Sequence, residues 1–176
     1  MLSGSGASRC KNTRLMRDLS RMMRTDTSAL GFGLEPVHED CMTVWRVKLF
    51  GFVDCPLAKD LEKCKKEKSG PLKGTEHVEL EMHFTDDYPY SPPFVRVVWP
   101  RFVARTGYII DGAFCMELLT KQGWTPTNDI ESVLVQIRAQ MVVGQARVDF
   151  AATQPYKESN ARAAFKSAAD LHKWAI

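Results

Sequence analysis

The sequence contains no uncharged apolar run near the ~18 residues that cross a bilayer, and its opening MLSGSGASRC lacks the apolar stretch of a secretory signal. No membrane association is expected, and the chain is expected to stay in a reducing compartment, the cytoplasm with the nucleus also open to it. Cysteine is sparse and odd in number: Cys10, Cys41, Cys55, Cys64 and Cys115, none in CxxC spacing. A disulfide framework and a zinc ribbon are thereby unsupported, and at least one thiol is left free. Neither GxxxxGK[ST] nor GxGxxG occurs, so nucleotide binding has no support. Glycine and proline together fill only 20 of 176 positions, against 44% apolar and 26% charged residues, which excludes collagen-like, low-complexity and disordered classes. Only four histidines are present. His77 and His83 share parity with Glu79 and Glu81 on an alternating run, so they read as solvated strand residues rather than ligands. His172 is the only histidine downstream of Cys115, a poor fit to a Cys-His protease.

What remains is one domain's worth of ordinary globular chain. The net charge of +3 divides unevenly, because six basic residues against the single acid Asp18 give +5 through Arg24 and leave −2 for the rest. Such a basic segment suits nucleic acid, an anionic membrane surface or an acidic protein partner, and composition does not choose among them. Residues 1–10 read as a flexible N-terminus and 11–176 as the folded domain. Over 11–24, Leu15, Leu19 and Met22 recur at helical spacing, predicting an amphipathic helix with its basic face outward.

Trp45, Val47 and Leu49, then Val78, Leu80, Met82 and Phe84, alternate with polar residues as half-buried antiparallel strands do, and residues 94–99 between Pro93 and Pro100 make a further strand. Residues 53–76, with six lysines from Lys59 to Lys73, read as an elaborated mobile surface loop in which a short helix around 56–66 is allowed. Ile130, Val133, Leu134, Ile137 and Met141 mark a helix capped by Asn128 with Glu131 three residues on and stopped by Gly144. A last helix over about 158–174 places Ala161, Ala164, Phe165, Ala168, Leu171 and Trp174 on one face. Helix, then strands, then helices make an α+β domain.

Two segments stand apart in composition. Residues 84–93 hold three prolines and two tyrosines, a stiff loop that suits either an aromatic docking surface or a rigid strand connection with buried tyrosines. In the segment 107–124, Cys115 follows an irregular glycine-containing stretch and precedes an apolar turn. Taken alone, a buried structural cysteine is the commoner reading.

These segments stand in the order and at nearly the separation found in the ubiquitin-conjugating enzymes, a family this sequence resembles. That family shows a YPxxPP loop, an active-site cysteine with a Leu-rich turn after it, a Trp with Pro close behind, and a long amphipathic helix. Here they are Tyr88-Pro89-Tyr90-Ser91-Pro92-Pro93, Cys115, Trp124-Thr125-Pro126 and the helix from 129. GAFCMELLTKQGW, IESVLVQI and ARV look most like the Q-type branch.

The resemblance implies a fold of N-terminal helix, four-stranded antiparallel meander and C-terminal helices. It also implies an enzyme that accepts ubiquitin on Cys115 as a thioester from an activating enzyme and passes it to a substrate lysine, usually with a ubiquitin ligase. No metal or organic cofactor is implied. Most members carry a His-Pro-Asn tripeptide beginning ten residues before the cysteine. Here that span is Arg105-Thr106-Gly107, and Gly107 at the Asn position has no side chain to donate. Backbone amides around Cys115, or Tyr108, are the candidate oxyanion donors. Asp149 is the nearest match to the acidic residue that orients the incoming lysine in the family. Tyr90 matches the residue that inserts into ligases, Pro93 and Pro126 frame that surface, and Arg14, Arg17 and Arg21 lie where the family meets activating enzyme and ligases. The lost Asn keeps a second reading in view, an inactive scaffold of the same fold that binds ubiquitin or a ligase. Nucleic-acid binding lacks any stacking aromatic or recognised motif.

Overall fold

The computed structural model describes residues 4–38 and 41–176; residues 1–3, part of the segment expected to be a flexible N-terminus, lie outside the described residues. Helix α1 spans Gly4–Met22, and so begins before the amphipathic spacing at residue 11. Strands β1 (Phe32–His38), β2 (Cys41–Leu49), β3 (Val78–His83) and β4 (Phe94–Trp99) form the expected antiparallel meander. Two short strands, β5 (Ile109–Ile110) and β6 (Ala113–Phe114), extend the sheet in the order β1-β2-β3-β4-β6-β5. Helices α2 (Pro56–Lys66), α3 (Ile130–Val143) and α4 (Glu158–His172) complete the α+β domain.

Alternation on the strands decides which sheet face is buried. Val78, Leu80 and Met82 of β3 are fully buried, as are Trp45, Val47 and Leu49 of β2 and Val97 of β4, and all join one cluster with Ile130, Val133, Leu134, Ile137 and Met141 of α3. Each such side chain stabilises by roughly 1.5–3 kcal/mol relative to exposure, so the five on α3 define that helix more firmly than propensity does. Its cap is Asp129 rather than Asn128. The Asp129 carboxylate accepts from Ser132 N at 2.7 Å, while Asn128 accepts from the Thr125 hydroxyl. Gly144 ends the helix as expected.

Three other elements differ from expectation. Residues 56–66 form a helix with a buried face of Leu57, Leu61 and Cys64 and with Asp60 buried beside them. Strand β1 lacked a clean alternation because Gly33 and Pro36 interrupt it; Pro36 is tolerated because β1 is an edge strand. On α4, Ala161 and Ala168 are buried and Phe165 meets Phe94 edge-on at 5.9 Å, but Leu171 is 79% exposed and the helix ends before Trp174.

The basic face of α1 is only partly outward. Lys11 is buried and its ammonium lies 2.6 Å from Asp86. Arg14 donates to Asp18 at 2.8 Å and to the carbonyls of Pro126 and Asn128, each at 2.7 Å. Asp18 is itself buried and accepts from the Tyr88 hydroxyl at 2.9 Å; the burial of Tyr88, with the Asp18 charge beside it, pushes its phenol far above its ordinary range. Removing one partner from a buried pair leaves the other charge uncompensated. Arg14→Ala is therefore expected to lower stability by about 3 kcal/mol in urea unfolding. A loss below about 0.5 kcal/mol, the level of an exposed ion pair, would contradict this account of α1 docking.

Candidate active site at Cys115

Strands β5 and β6 form a two-residue hairpin whose turn residues, Asp111 and Gly112, both have positive φ, +45° and +89°. This is the Asp-Gly turn whose twist matches antiparallel strands. Gly112 is required for space as well, since a Cβ there would lie 2.9 Å from the Tyr156 ring. The hairpin pairs Ile110 with Ala113 and Ile109 with Phe114, and one step further Cys115 N donates to Tyr108 O at 2.9 Å. Cys115 thus leaves the sheet directly beside Tyr108.

The segment before the hairpin is held in an unusual shape. Arg105, Gly107 and Tyr108 all lie in the left-handed region, with φ of +65°, +66° and +56°. A non-glycine residue there costs of order 1–2 kcal/mol, so the surroundings must enforce it. Gly107 N donates to Gly144 O and Val103 N to Arg147 O, both at 2.8 Å, and the Thr106 hydroxyl donates to Val103 O at 2.8 Å. A Cβ on Gly107 would fall 2.8 Å from the Ala146 Cβ. The position that resembles the family's Asn therefore has no room for any side chain in this arrangement. Gly144 has a similar role, since a Cβ there would meet the Tyr108 ring at 2.7 Å and the Gly107 Cα at 2.8 Å.

Cys115 opens into a cleft of about 410 Å³ lined by Arg105, Tyr108, Ile110, Val143 and Gln145 among others. The thiol is half-buried, and desolvation raises it above its ordinary value. Tyr108 is 48% exposed and lines the same cleft. Asp149 is not brought there: its carboxylate accepts from Ala151 N at 3.0 Å and its amide donates to Arg101 O, so it caps a turn of its own. Neither Arg105 nor Gln145 was among the expected site residues, and Arg105 entered only as the first position of the tripeptide span. Both reach the cleft through the left-handed backbone around them, Gln145 at φ +51°.

The residues expected at a docking surface divide. Tyr90 is 71% exposed and Pro126 is exposed, but Pro93 is buried and does not frame that surface. Tyr88 is buried, so the loop provides one aromatic to the interior and one to solvent. Trp124 Nε1 donates to Pro89 O at 2.7 Å, joining this loop to the 124–126 segment. Arg14 is turned inward and Arg21 lies 3.4 Å from Asp129, whereas Arg17 is exposed and makes no ion pair among the described residues.

Among the described residues, one cluster has metal-ligand chemistry. Glu81, His83 and Glu158 bring ligand atoms within 4.8 Å of one another. His83 is half-buried against α4 rather than freely solvated, with Glu81 at 3.2 Å and Glu158 at 3.9 Å on its two ring nitrogens. Glu81 Oε2 already accepts from Arg96 Nη2 at 2.7 Å and Nε at 3.1 Å. A cation there would stand beside a guanidinium, so the arrangement fits an ion-pair network that fastens α4 to the sheet better than a metal centre.

Residues 68–173 match the ubiquitin-conjugating enzyme family, and the chain belongs to it. Its relatives include ubiquitin-conjugating enzyme E2 Q1 of Homo sapiens, 39% identical over 163 residues, 91% of this chain and 37% of that one. Ubiquitin-conjugating enzyme E2 25 of Caenorhabditis elegans is 37% identical over 164 residues, 90% of this chain and 41% of that one. These likenesses support the Q branch, and the chain spans well under half the length of either relative. In fold it resembles the structure of human ubiquitin-conjugating enzyme E2 G1, with a TM-score of 0.55 at 17% identity over 80% of this chain and 98% of that one.

Because burial disfavours the thiolate of Cys115, alkylation of that residue by iodoacetamide, followed on its own peptide by mass spectrometry, is expected to accelerate with pH without levelling below about pH 8.5. A plateau near neutral pH would show a stabilised thiolate and contradict the environment described.

Proposed function

We propose that this chain is a ubiquitin carrier in which Cys115 holds the ubiquitin C-terminus as a thioester. The observation that supports it best is the half-buried free thiol of Cys115 opening into the Tyr108 cleft, in a chain of the conjugating-enzyme family. The Cys115 thiolate attacks the thioester carbonyl on the activating enzyme, the new C–S bond forms, and the activating enzyme's thiolate leaves. A substrate lysine amine, as the free base, then attacks the same carbonyl. The isopeptide bond forms, Cys115 thiolate is expelled, and the amine's proton passes to solvent. No oxidation state changes in either step.

A raised thiol pKa suits such a carrier. The thiolate fraction at neutral pH is small, yet the thiolate formed is the more nucleophilic for its basicity, so reaction depends on a positioned partner thioester rather than on chance encounters. For the oxyanion formed when lysine attacks, the Cys115 amide is already committed to Tyr108 O. The donors that stay open are the amides that follow Cys115 and the cleft-lining side chains Arg105 and Tyr108, of which we take the Tyr108 hydroxyl as the candidate to test. The exposed pair Tyr90 and Pro126, with Arg17 on α1, is the candidate surface for ligase and activating enzyme.

Incubation with activating enzyme, ATP and ubiquitin is expected to give a thiol-sensitive adduct that Cys115→Ala abolishes; no adduct on the unaltered chain would overturn the carrier reading in favour of the scaffold. Once charged, Tyr108→Phe is expected to discharge onto free lysine about tenfold more slowly. An unchanged rate removes Tyr108 as donor.

A further inference from the structure

Helix α2 ends before the matched span begins at residue 68, yet it touches the segment that walls the Cys115 cleft. Its Asp60 is buried at 6% exposure. The carboxylate accepts from Arg147 Nε at 2.7 Å, Arg147 Nη2 at 3.1 Å and Val148 N at 3.0 Å. A buried carboxylate on a surface helix is costly unless fully compensated, and here the compensation comes from residues 87 and 88 positions away. Arg147 in turn accepts from Val103 N through its carbonyl and donates through its amide to Thr106 Oγ1 at 3.2 Å. Val103 and Thr106 lie just ahead of Gly107 and Tyr108, whose left-handed backbone leads to the Tyr108 carbonyl that Cys115 N bonds and to the cleft both residues line.

From this chain of contacts we infer that Asp60 is a positioning residue for the transfer reaction. Through Arg147 and Val148 it fixes the 144–148 segment, and that segment holds the Tyr108 loop in its strained shape. In an active site where Gly107 has no side chain to brace the loop, the brace comes from outside, from the buried face of α2. The pair holds because Arg147 places two of its guanidinium nitrogens, Nε and Nη2, on one carboxylate, a fork that a lysine does not reproduce. The inference rests on Cys115 being the thioester-bearing residue.

The test compares Asp60→Ala, Asp60→Asn and Arg147→Ala with the unaltered chain, each assayed well below its own melting midpoint. Charging of the unaltered chain comes first, and its failure counts against the carrier reading alone. Cys115 alkylation at fixed pH is then read without ubiquitin. Loosening the wall is expected to expose the thiol and speed alkylation in all three variants, most in Asp60→Ala. In single-turnover discharge onto free lysine, Asp60→Ala is expected to lose about tenfold in the maximal rate with the half-saturating lysine concentration nearly unchanged. Arg147→Ala, which keeps the bond from Val148 N to Asp60, is expected to fall between. A purely stabilising role would move the melting midpoint and leave both rates at the unaltered level, and that result overturns the proposal. If Asp60→Ala does not fold, unaltered rates in both Asp60→Asn and Arg147→Ala do the same.

Discussion

Two backbone hydrogen bonds, Gly107 N to Gly144 O and Val103 N to Arg147 O, join the segment that leads to Cys115 onto the segment that leaves α3. Much else in the site follows from that join. It brings the end of the most firmly buried helix alongside a stretch with three left-handed residues, and only an over-determined setting sustains such a stretch. It also explains the small residues: Gly107 lies against Ala146, and Gly144 against the Tyr108 ring. Larger side chains at either glycine would push the two segments apart and reopen the cleft geometry. The hairpin with Asp111-Gly112 then carries the chain from Tyr108 round to Cys115 in a fixed register, so thiol and phenol face one cleft.

A second set of contacts places the docking side of the molecule. Tyr88 is held inside by Asp18 and by the aromatic rings of Phe84, at 4.9 Å, and Trp124, at 6.3 Å. With Tyr88 anchored and Trp124 bonded to Pro89 O, the next residue but one, Tyr90, is presented to solvent. The α1 arginines share this work rather than forming one uniform binding face. Arg14 fastens α1 to the start of α3, Arg21 is exposed with its guanidinium 3.4 Å from Asp129, and Arg17 between them is exposed with no ion pair among the described residues.

Much of this was legible in the sequence because it rests on apolar periodicity. Strands β2, β3 and β4 and helix α3 show their buried faces directly in residues such as Trp45, Leu80 and Ile137, and the motif spacing identified the family and Cys115 as the candidate centre. What was not legible depends on polar groups satisfied at long range. Asp60 reads as one more charge in a lysine-rich stretch until Arg147 and Val148 meet it, and without it α2 looked like a mobile loop with only Leu57 and Leu61 in its favour. Strand β1 was hidden by Gly33 and Pro36 at a sheet edge. Strands β5 and β6 are two residues each, too short for any period, although the Asp-Gly dipeptide between Ile110 and Ala113 is a hairpin signal in its own right. Asp149 matched by position and is occupied in its own turn, which only coordinates reveal.

The Cys115 cleft is thus prebuilt by the join between the 103–108 and 144–148 segments. The measurement that decides this is amide hydrogen exchange of the chain alone, read at Val103, Gly107 and Cys115, whose N–H groups donate to Arg147 O, Gly144 O and Tyr108 O. All three are expected to exchange slowly, with protection approaching that of the α3 amides. Exchange at the rate of an unprotected loop, with α3 still protected, would contradict it.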